Sequence, residues 1–122
     1  MSYVYLLVKL KKPQTASLHE LTPEVVEEWD EPEEMMCGKI SSVIGDIEWS
    51  QREIVYDCGP VNELCGKLKG YEFRFEICFE PWPFNRVRID GSTHVNQEQD
   101  VLRIAKKLNM AVLDVQTGRC LI

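Results

Sequence analysis

Few side chains in this sequence could carry out chemistry by themselves. His19 and His94 are the only imidazoles. Hydrolytic or metal chemistry calls for a histidine activated by a neighbour, or for several at ligand spacing. Apart from Glu20 beside His19, neither has a His, Cys, Asp or Glu at such an offset, and both fall in expected loops. A Cys–His dyad could be assembled in three dimensions from His94, but no local motif selects a cysteine for it. The five cysteines, Cys37, Cys58, Cys65, Cys78 and Cys120, contain no CxxC pair. Zinc-ribbon and thioredoxin spacings are therefore absent, and an odd count argues against a secreted disulfide scaffold. The sequence reads them as reduced, core-filling thiols. Seven scattered glycines form neither GxGxxG nor GxxxxGK[ST], which excludes nucleotide binding by those routes. No catalytic residue, cofactor or metal is expected.

Carboxylates are the one chemical group present in excess. The 122 residues hold 14 Lys+Arg and 20 Asp+Glu, a net charge of −6. That is the wrong sign for sequence-independent nucleic-acid binding, which must neutralise phosphates. Residues 1–12 carry +3, residues 13–38 carry −8 with no base, and residues 39–122 carry −1. The surplus is thus confined to one stretch, which includes Glu24, Glu27, Glu28, Asp30, Glu31, Glu33 and Glu34. Leu18, Leu21, Val25, Val26, Trp29, Met35 and Met36 run through it, too many apolar groups for a disordered acidic tail. The pairs Glu27–Glu28 and Glu33–Glu34 could serve acid–base chemistry, but adjacent helical residues point in different directions. A solvated acidic face is the simpler reading, suited to steering a basic protein.

A second feature is the loop PWPFN, residues 81–85. Trp82 and Phe84, stiffened by Pro81 and Pro83, could anchor an interface at small entropic cost, or fold back over the core edge. Arg86 and Arg88 directly beyond could supply hydrogen-bonding rim contacts.

The elements that must position these residues follow from hydrophobic periodicity. YVYLLVKL, residues 3–10, reads as a buried strand. Thr22-Pro23-Glu24 predicts a helix start, running to about Trp29 before Pro32, with Leu21 and Val26 as a hydrophobic staple. Residues 38–49 are ambiguous: a short helix or irregular segment, then a hairpin of about 46–50 with 53–58 around Ser50-Gln51. Gly59-Pro60 should break that strand, leaving residues 61–68 as at most a short helical connection. Tyr71, Phe73, Phe75, Ile77 and Phe79 alternate with polar residues, predicting a strand with one wet face. Pairing Phe79 with Val87 sets Glu80 opposite Arg86 and Arg88 diagonal to Glu76 and Glu80, in a hairpin 71–80/86–90. Val101, Ile104, Ala105 and Leu108 predict a helix over 97–108, entered through Asn96 and Gln99. MAVLDV, residues 110–115, reads as an interior strand, with 119–122 returning as a short edge strand.

The ending from Gln97, a cationic-ended helix, a strand and then Asp114-Val115-Gln116-Thr117-Gly118, resembles that of small acidic bacterial proteins, some of them immunity-like. The resemblance covers the last quarter of the chain and carries over no catalytic residue. It implies occlusion of a toxin by a negatively charged surface.

The expectation is a single α+β domain over residues 1–122: a mostly antiparallel sheet with one long C-terminal helix and a shorter N-terminal helix packed on it. The expected function is a non-catalytic protein-binding module of a bacterial cytoplasm, an inhibitor or immunity-type protein meeting a basic protein partner, with no nucleic acid or membrane. The interface would comprise the acidic residues of 24–34 with Trp29, together with Trp82, Phe84, Arg86 and Arg88. The alternatives are a small-ligand-binding or enzymatic domain with a pocket between sheet and helices, and a structural subunit dimerising through a sheet edge. The apolar run before the first lysines is too short for a secretory leader, and no stretch reaches the ~18 apolar residues of a membrane span.

Overall fold

The computed structural model describes residues 2–11, 21–29, 31–70, 72–81 and 84–121. Among these residues eight strands and two short helices follow in the order β1 (Ser2–Leu10), β2 (Val26–Glu27), α1 (Glu33–Ile44), β3 (Ile47–Tyr56), β4 (Gly59–Leu68), β5 (Phe75–Glu80), β6 (Arg86–Ser92), α2 (Glu98–Leu108), β7 (Ala111–Asp114) and β8 (Arg119–Cys120). The sheet runs β3-β4-β5-β6-β1-β7-β8, with β2 paired to the end of β1, and every pairing is antiparallel. No helix among the described residues is long and apolar enough to cross a membrane.

Both helices cover one face. Tyr5, Leu7, Phe75, Ile77, Phe79, Val87, Ile89 and Val112 from the strands meet Met36 and Ile40 of α1 and Val101, Ile104, Ala105 and Leu108 of α2 in one core. The Arg103 guanidinium ties the two helices by donating to the Val43 carbonyl at 2.7 Å. On the opposite face Leu6, Val8 and Leu113 form a smaller cluster with Val26, flanked by Leu21, Val25 and Phe84.

The expected long C-terminal helix is corrected. α2 has 11 residues and α1 has 12, so neither dominates, and the fold is mostly sheet. The Asn109 cap ends α2 in the left-handed conformation, φ 58°, with its N–H on the Lys106 carbonyl. The cap residue is Gln97, one position later than the expected Asn96–Gln99 pair; Asn96 Oδ1 accepts from Glu98 N–H at 3.0 Å instead.

The N-terminal helix lies ten residues later than predicted. Residues 23–25 form a turn closed by Val25 N–H on the Thr22 carbonyl, and the β-branched Val26 then joins a strand ladder, with Leu10↔Val26 and Lys9↔Glu27 in register. Pro32 starts a helix instead of ending one. Its carbonyl accepts from both Met35 and Met36, and Glu33 and Glu34 complement the positive end. The helical spacing of Ile40, Val43 and Ile44 therefore extends backward to Met36.

The hairpin after α1 is also longer than expected. β3 runs unbroken through Ser50-Gln51 and turns at Asp57-Cys58, with Tyr56↔Gly59 the last pair. Gly59 turns the corner at φ 114°. Residues 61–68 are strand. Pro60 is tolerated because β5 pairs with β4 only over Leu64–Lys67, so no ladder bond is asked of the proline on that side. The β5–β6 hairpin has the predicted register, Phe79↔Val87 and Glu80↔Arg86, although β5 opens at Phe75 and Phe73 lies in a bend before it. Tyr71 lies outside the described residues.

Candidate functional site

Alternation along β4, β5 and β6 sends Leu64, Phe79, Val87 and their neighbours into the helix-covered core. It sends Glu63, Cys65, Glu76, Cys78, Glu80, Arg86, Arg88 and Asp90 to the other face. This second face was expected to be wet. Instead Glu63 is 1% exposed, Glu80 2%, Cys78 0% and Asp90 6%. Buried charges are costly unless paired, so this concentration marks the face as the most unusual part of the molecule.

The arginines satisfy most of it. Glu80 receives Arg86 Nε at 2.7 Å on one carboxylate oxygen and Arg88 Nη1 on the other. Asp90 receives Arg88 Nε at 3.2 Å and lies 3.7 Å from the Arg74 guanidinium. Tyr56 donates to Glu63, while the second carboxylate oxygen of Glu63 is buried with no hydrogen-bond partner among the described residues. Burial, then that hydrogen bond, pushes the Tyr56 phenol up.

Beside this network Cys65 and Cys78 stand directly opposite each other across β4 and β5, next to Glu76. The two sulfurs and a Glu76 oxygen lie within 4.8 Å of one another. Cys78 donates to Glu76 Oε1 at 3.6 Å. Arg52, from β3, bridges the same two groups: its Nη2 is 3.5 Å from the Cys78 sulfur and its Nη1 3.4 Å from Glu76 Oε1. Burial raises both thiols, so both cysteines are neutral at neutral pH.

At the other end of the sheet, a cleft of about 330 Å³ is lined by Tyr3, Tyr5, residues 92–95, Asn96, Gln97 and Glu98. Tyr3 closes its inner wall by donating to Asp114 Oδ2 at 3.0 Å, and that bond raises the phenol. Gln97 braces the rim, accepting from Ser92 N–H at 3.0 Å and donating to the Arg74 carbonyl at 3.1 Å. His94 lines this cleft and is exposed, but no cysteine does, so the Cys–His arrangement is not formed there.

The sequence-predicted interface residues are dispersed. Glu24, Glu27 and Glu28 are exposed on the turn and on and after β2, and Glu34 is exposed on the first turn of α1. Glu31 is bound by Lys39 Nζ at 2.7 Å, and Glu33 is half-buried, its carboxyl raised by burial. Trp29 is no free anchor: it packs edge-on against Phe79 in the core. Phe84 folds back onto the Leu6–Val8 cluster with the Arg86 guanidinium 5.5 Å from its ring centroid. Arg86 and Arg88 are held by Glu80 instead of reaching outward as rim contacts. Asp30, Trp82 and His19 lie outside the described residues.

The thiol–carboxylate cluster has no counterpart among the predicted sites. Cys65 and Cys78 are thirteen positions apart with no motif, and reading 61–68 as a connection hid their pairing. The signal available was Cys78 sharing a strand face with Glu76 and Glu80.

Compared with known proteins, the chain matches no protein-family model, no curated relative and no solved structure.

Proposed function

We propose that the protein is a non-catalytic binding module, of the inhibitor or immunity type and working in a bacterial cytoplasm, whose partner is a protein with a basic surface. The observation that carries this reading is the anchoring of the acidic segment. Val26 is 5% exposed, β2 is paired to β1, Lys11 N–H donates to the Val25 carbonyl at 2.9 Å, and Trp29 packs on Phe79. Glu24, Glu27, Glu28 and Glu34 are therefore displayed from a fixed backbone. A preorganised carboxylate surface steers a cationic partner and loses little entropy on docking.

The test is affinity capture from the host on the wild type and on the E24K/E27K/E28K/E34K variant, at about 0.05 M and about 0.5 M salt, across which screening shortens from over ten to a few ångströms. A basic partner retained by the wild type at low salt, and lost with the variant and at high salt, is expected. A partner held equally under all conditions would sink the reading.

A second reading, a small polar ligand in the Tyr3–His94 cleft, is favoured by its convergent Tyr3, Ser92, His94 and Glu98 side chains. It predicts a ligand-dependent rise in melting temperature that Tyr3→Phe and His94→Ala abolish.

A further inference from the structure

We infer that Cys65, Glu76 and Cys78 form a binding site for a soft divalent cation of the zinc class. The donor set points to that class, because thiolate sulfur selects zinc over magnesium or calcium, and a carboxylate completes many zinc sites. The placement is fixed by the sheet. Glu76 and Cys78 are two residues apart on one strand and share a face, and Cys65 is the direct partner of Cys78 on the next strand. Directly opposed side chains have Cβ atoms about 4.5–5.5 Å apart, so both thiols reach a common point without any backbone change.

The three donor atoms lie within 4.8 Å of one another. Tetrahedral coordination, with Zn–S of about 2.3 Å and Zn–O of about 2.0 Å, requires donors roughly 3.5–3.8 Å apart. Rotation about the side-chain torsions closes that difference of about an ångström. Three protein ligands leave one position for solvent or a further ligand.

Arg52 already shows that the cluster accepts a cation. Its guanidinium lies 3.5 Å from the Cys78 sulfur and 3.4 Å from the Glu76 carboxylate, occupying the approach to both. Its side chain is 43% exposed, so it can swing into solvent when a metal arrives. Binding breaks the two S–H bonds, the electron pairs go to the metal, and two protons pass to solvent. The resulting dication with two thiolates and a carboxylate carries a net −1, which the neighbouring Arg88 offsets from outside the coordination shell while Arg52 turns away to solvent.

The test titrates the reduced, chelator-treated full chain with Co²⁺ alone and then with Zn²⁺. One equivalent of Co²⁺ should produce thiolate-to-cobalt charge transfer in the near-ultraviolet and tetrahedral visible bands, both removed by one equivalent of Zn²⁺. The C65S and C78S variants should lose the charge-transfer band or most of it, E76Q should bind more weakly, and C37S/C58S/C120S should match the wild type. R52A should bind about threefold more tightly, since in the wild type the Arg52 contacts with Cys78 and Glu76 must break before the metal enters, and partly exposed pairs of this kind are weak. That gain separates metal competition from a merely structural role, and it holds even where a cysteine variant fails to fold. The inference is overturned by a wild type without the bands, by bands that survive C65S/C78S or vanish in C37S/C58S/C120S, or by weaker binding in R52A.

Discussion

Trp29 meets Phe79 edge-to-face, with ring centroids 5.5 Å apart and planes at 86°. The indole clamps the acidic segment to the core, yet its Nε1–H is buried without a hydrogen-bond partner among the described residues. Leaving such a donor unsatisfied costs about 1–3 kcal/mol. Trp29→Phe keeps an aromatic edge and removes the orphan donor, so its urea-unfolding free energy should fall within about 1 kcal/mol of the wild type. Trp29→Ala should cost about 3 kcal/mol, the low end for truncating a large aromatic, because Trp29 is half-buried. Trp29→Phe should also leave partner capture intact, because the ring faces inward.

Glu80 is the centre of the polar face, holding Arg86 and Arg88 while itself 2% exposed. Removing one member of a buried ion pair is more costly than removing the whole pair. The two arginine side chains are 24% and 26% exposed and can turn to water, which moderates the loss. Glu80→Ala should therefore destabilise by about 2 kcal/mol, below the 3–5 kcal/mol of fully buried pairs. E80L/R86M, which leaves Arg88 on Asp90, should recover most of that loss. A double variant less stable than the single one in guanidinium melts would refute this account of the network.

The legible and illegible parts of the fold differ in which face carried the signal. The β5–β6 register was readable because Phe75, Ile77 and Phe79 alternate with Glu76, Cys78 and Glu80, and Arg86 answers Glu80. The helix over 98–108 was readable because its apolar stripe is uninterrupted. β4 was not, because Glu63 and Cys65 are buried on one face while Gly66 thins the other, so VNELCGKL shows no clean alternation. Gly66 is small there for a reason visible only in three dimensions: a Cβ would come within 2.6 Å of Ile47 and 2.7 Å of Trp49. At the N-terminal side Thr22-Pro23 and Pro32-Glu33 carry equivalent local helix signals. What separates them is tertiary pairing, since Val26 is taken up by β1 and Met36 by the core. The thiol–carboxylate cluster was hidden for the same reason as β4, while the acidic segment was plain in composition and only its anchoring needed the structure.

Gly91 and Gln97 are coupled by contact. A Cβ on Gly91 would lie 2.2 Å from Gln97 Oε1, the atom that accepts from Ser92 N–H. Gly91→Ala should displace that amide from the rim of the Tyr3–His94 cleft and cost about 1–3 kcal/mol, as overpacking does. Gln97→Ala should cost a similar amount by stripping Ser92 N–H and the Arg74 carbonyl of their partner. The double variant should cost less than the sum by at least about 0.5 kcal/mol, because the clash needs both side chains. Strict additivity in a double-mutant cycle would show that the two positions do not communicate.

The thiols set an alkaline limit on stability in the metal-free protein. Burial pushes Cys37 up to about 11, and burial also raises Cys65 and Cys78. In the unfolded chain a thiol ionises near 8.5. A folded-state value above the unfolded one means that the native state keeps its proton while the unfolded state gives it up. The stabilisation is therefore complete below about pH 8.5 and lost as pH rises through the folded values, from about 8.5 to about 11 for Cys37 and upward for Cys78. The urea midpoint should be flat from pH 7 to 8 and decline from pH 9 to 10.5, and a C37A/C65A/C78A variant should decline less steeply relative to its own neutral-pH value. Tyr3, Tyr5 and Tyr56 are raised as well and add a loss of the same sign above about pH 10, common to both proteins. In parallel, a brief iodoacetamide pulse at pH 8 should label exposed Cys58 while sparing buried Cys65 and Cys78, as read by peptide mass. Rapid labelling of Cys65 or Cys78 in the folded protein, or a midpoint unchanged to pH 10.5, would contradict the burial that ties these thiols to the fold.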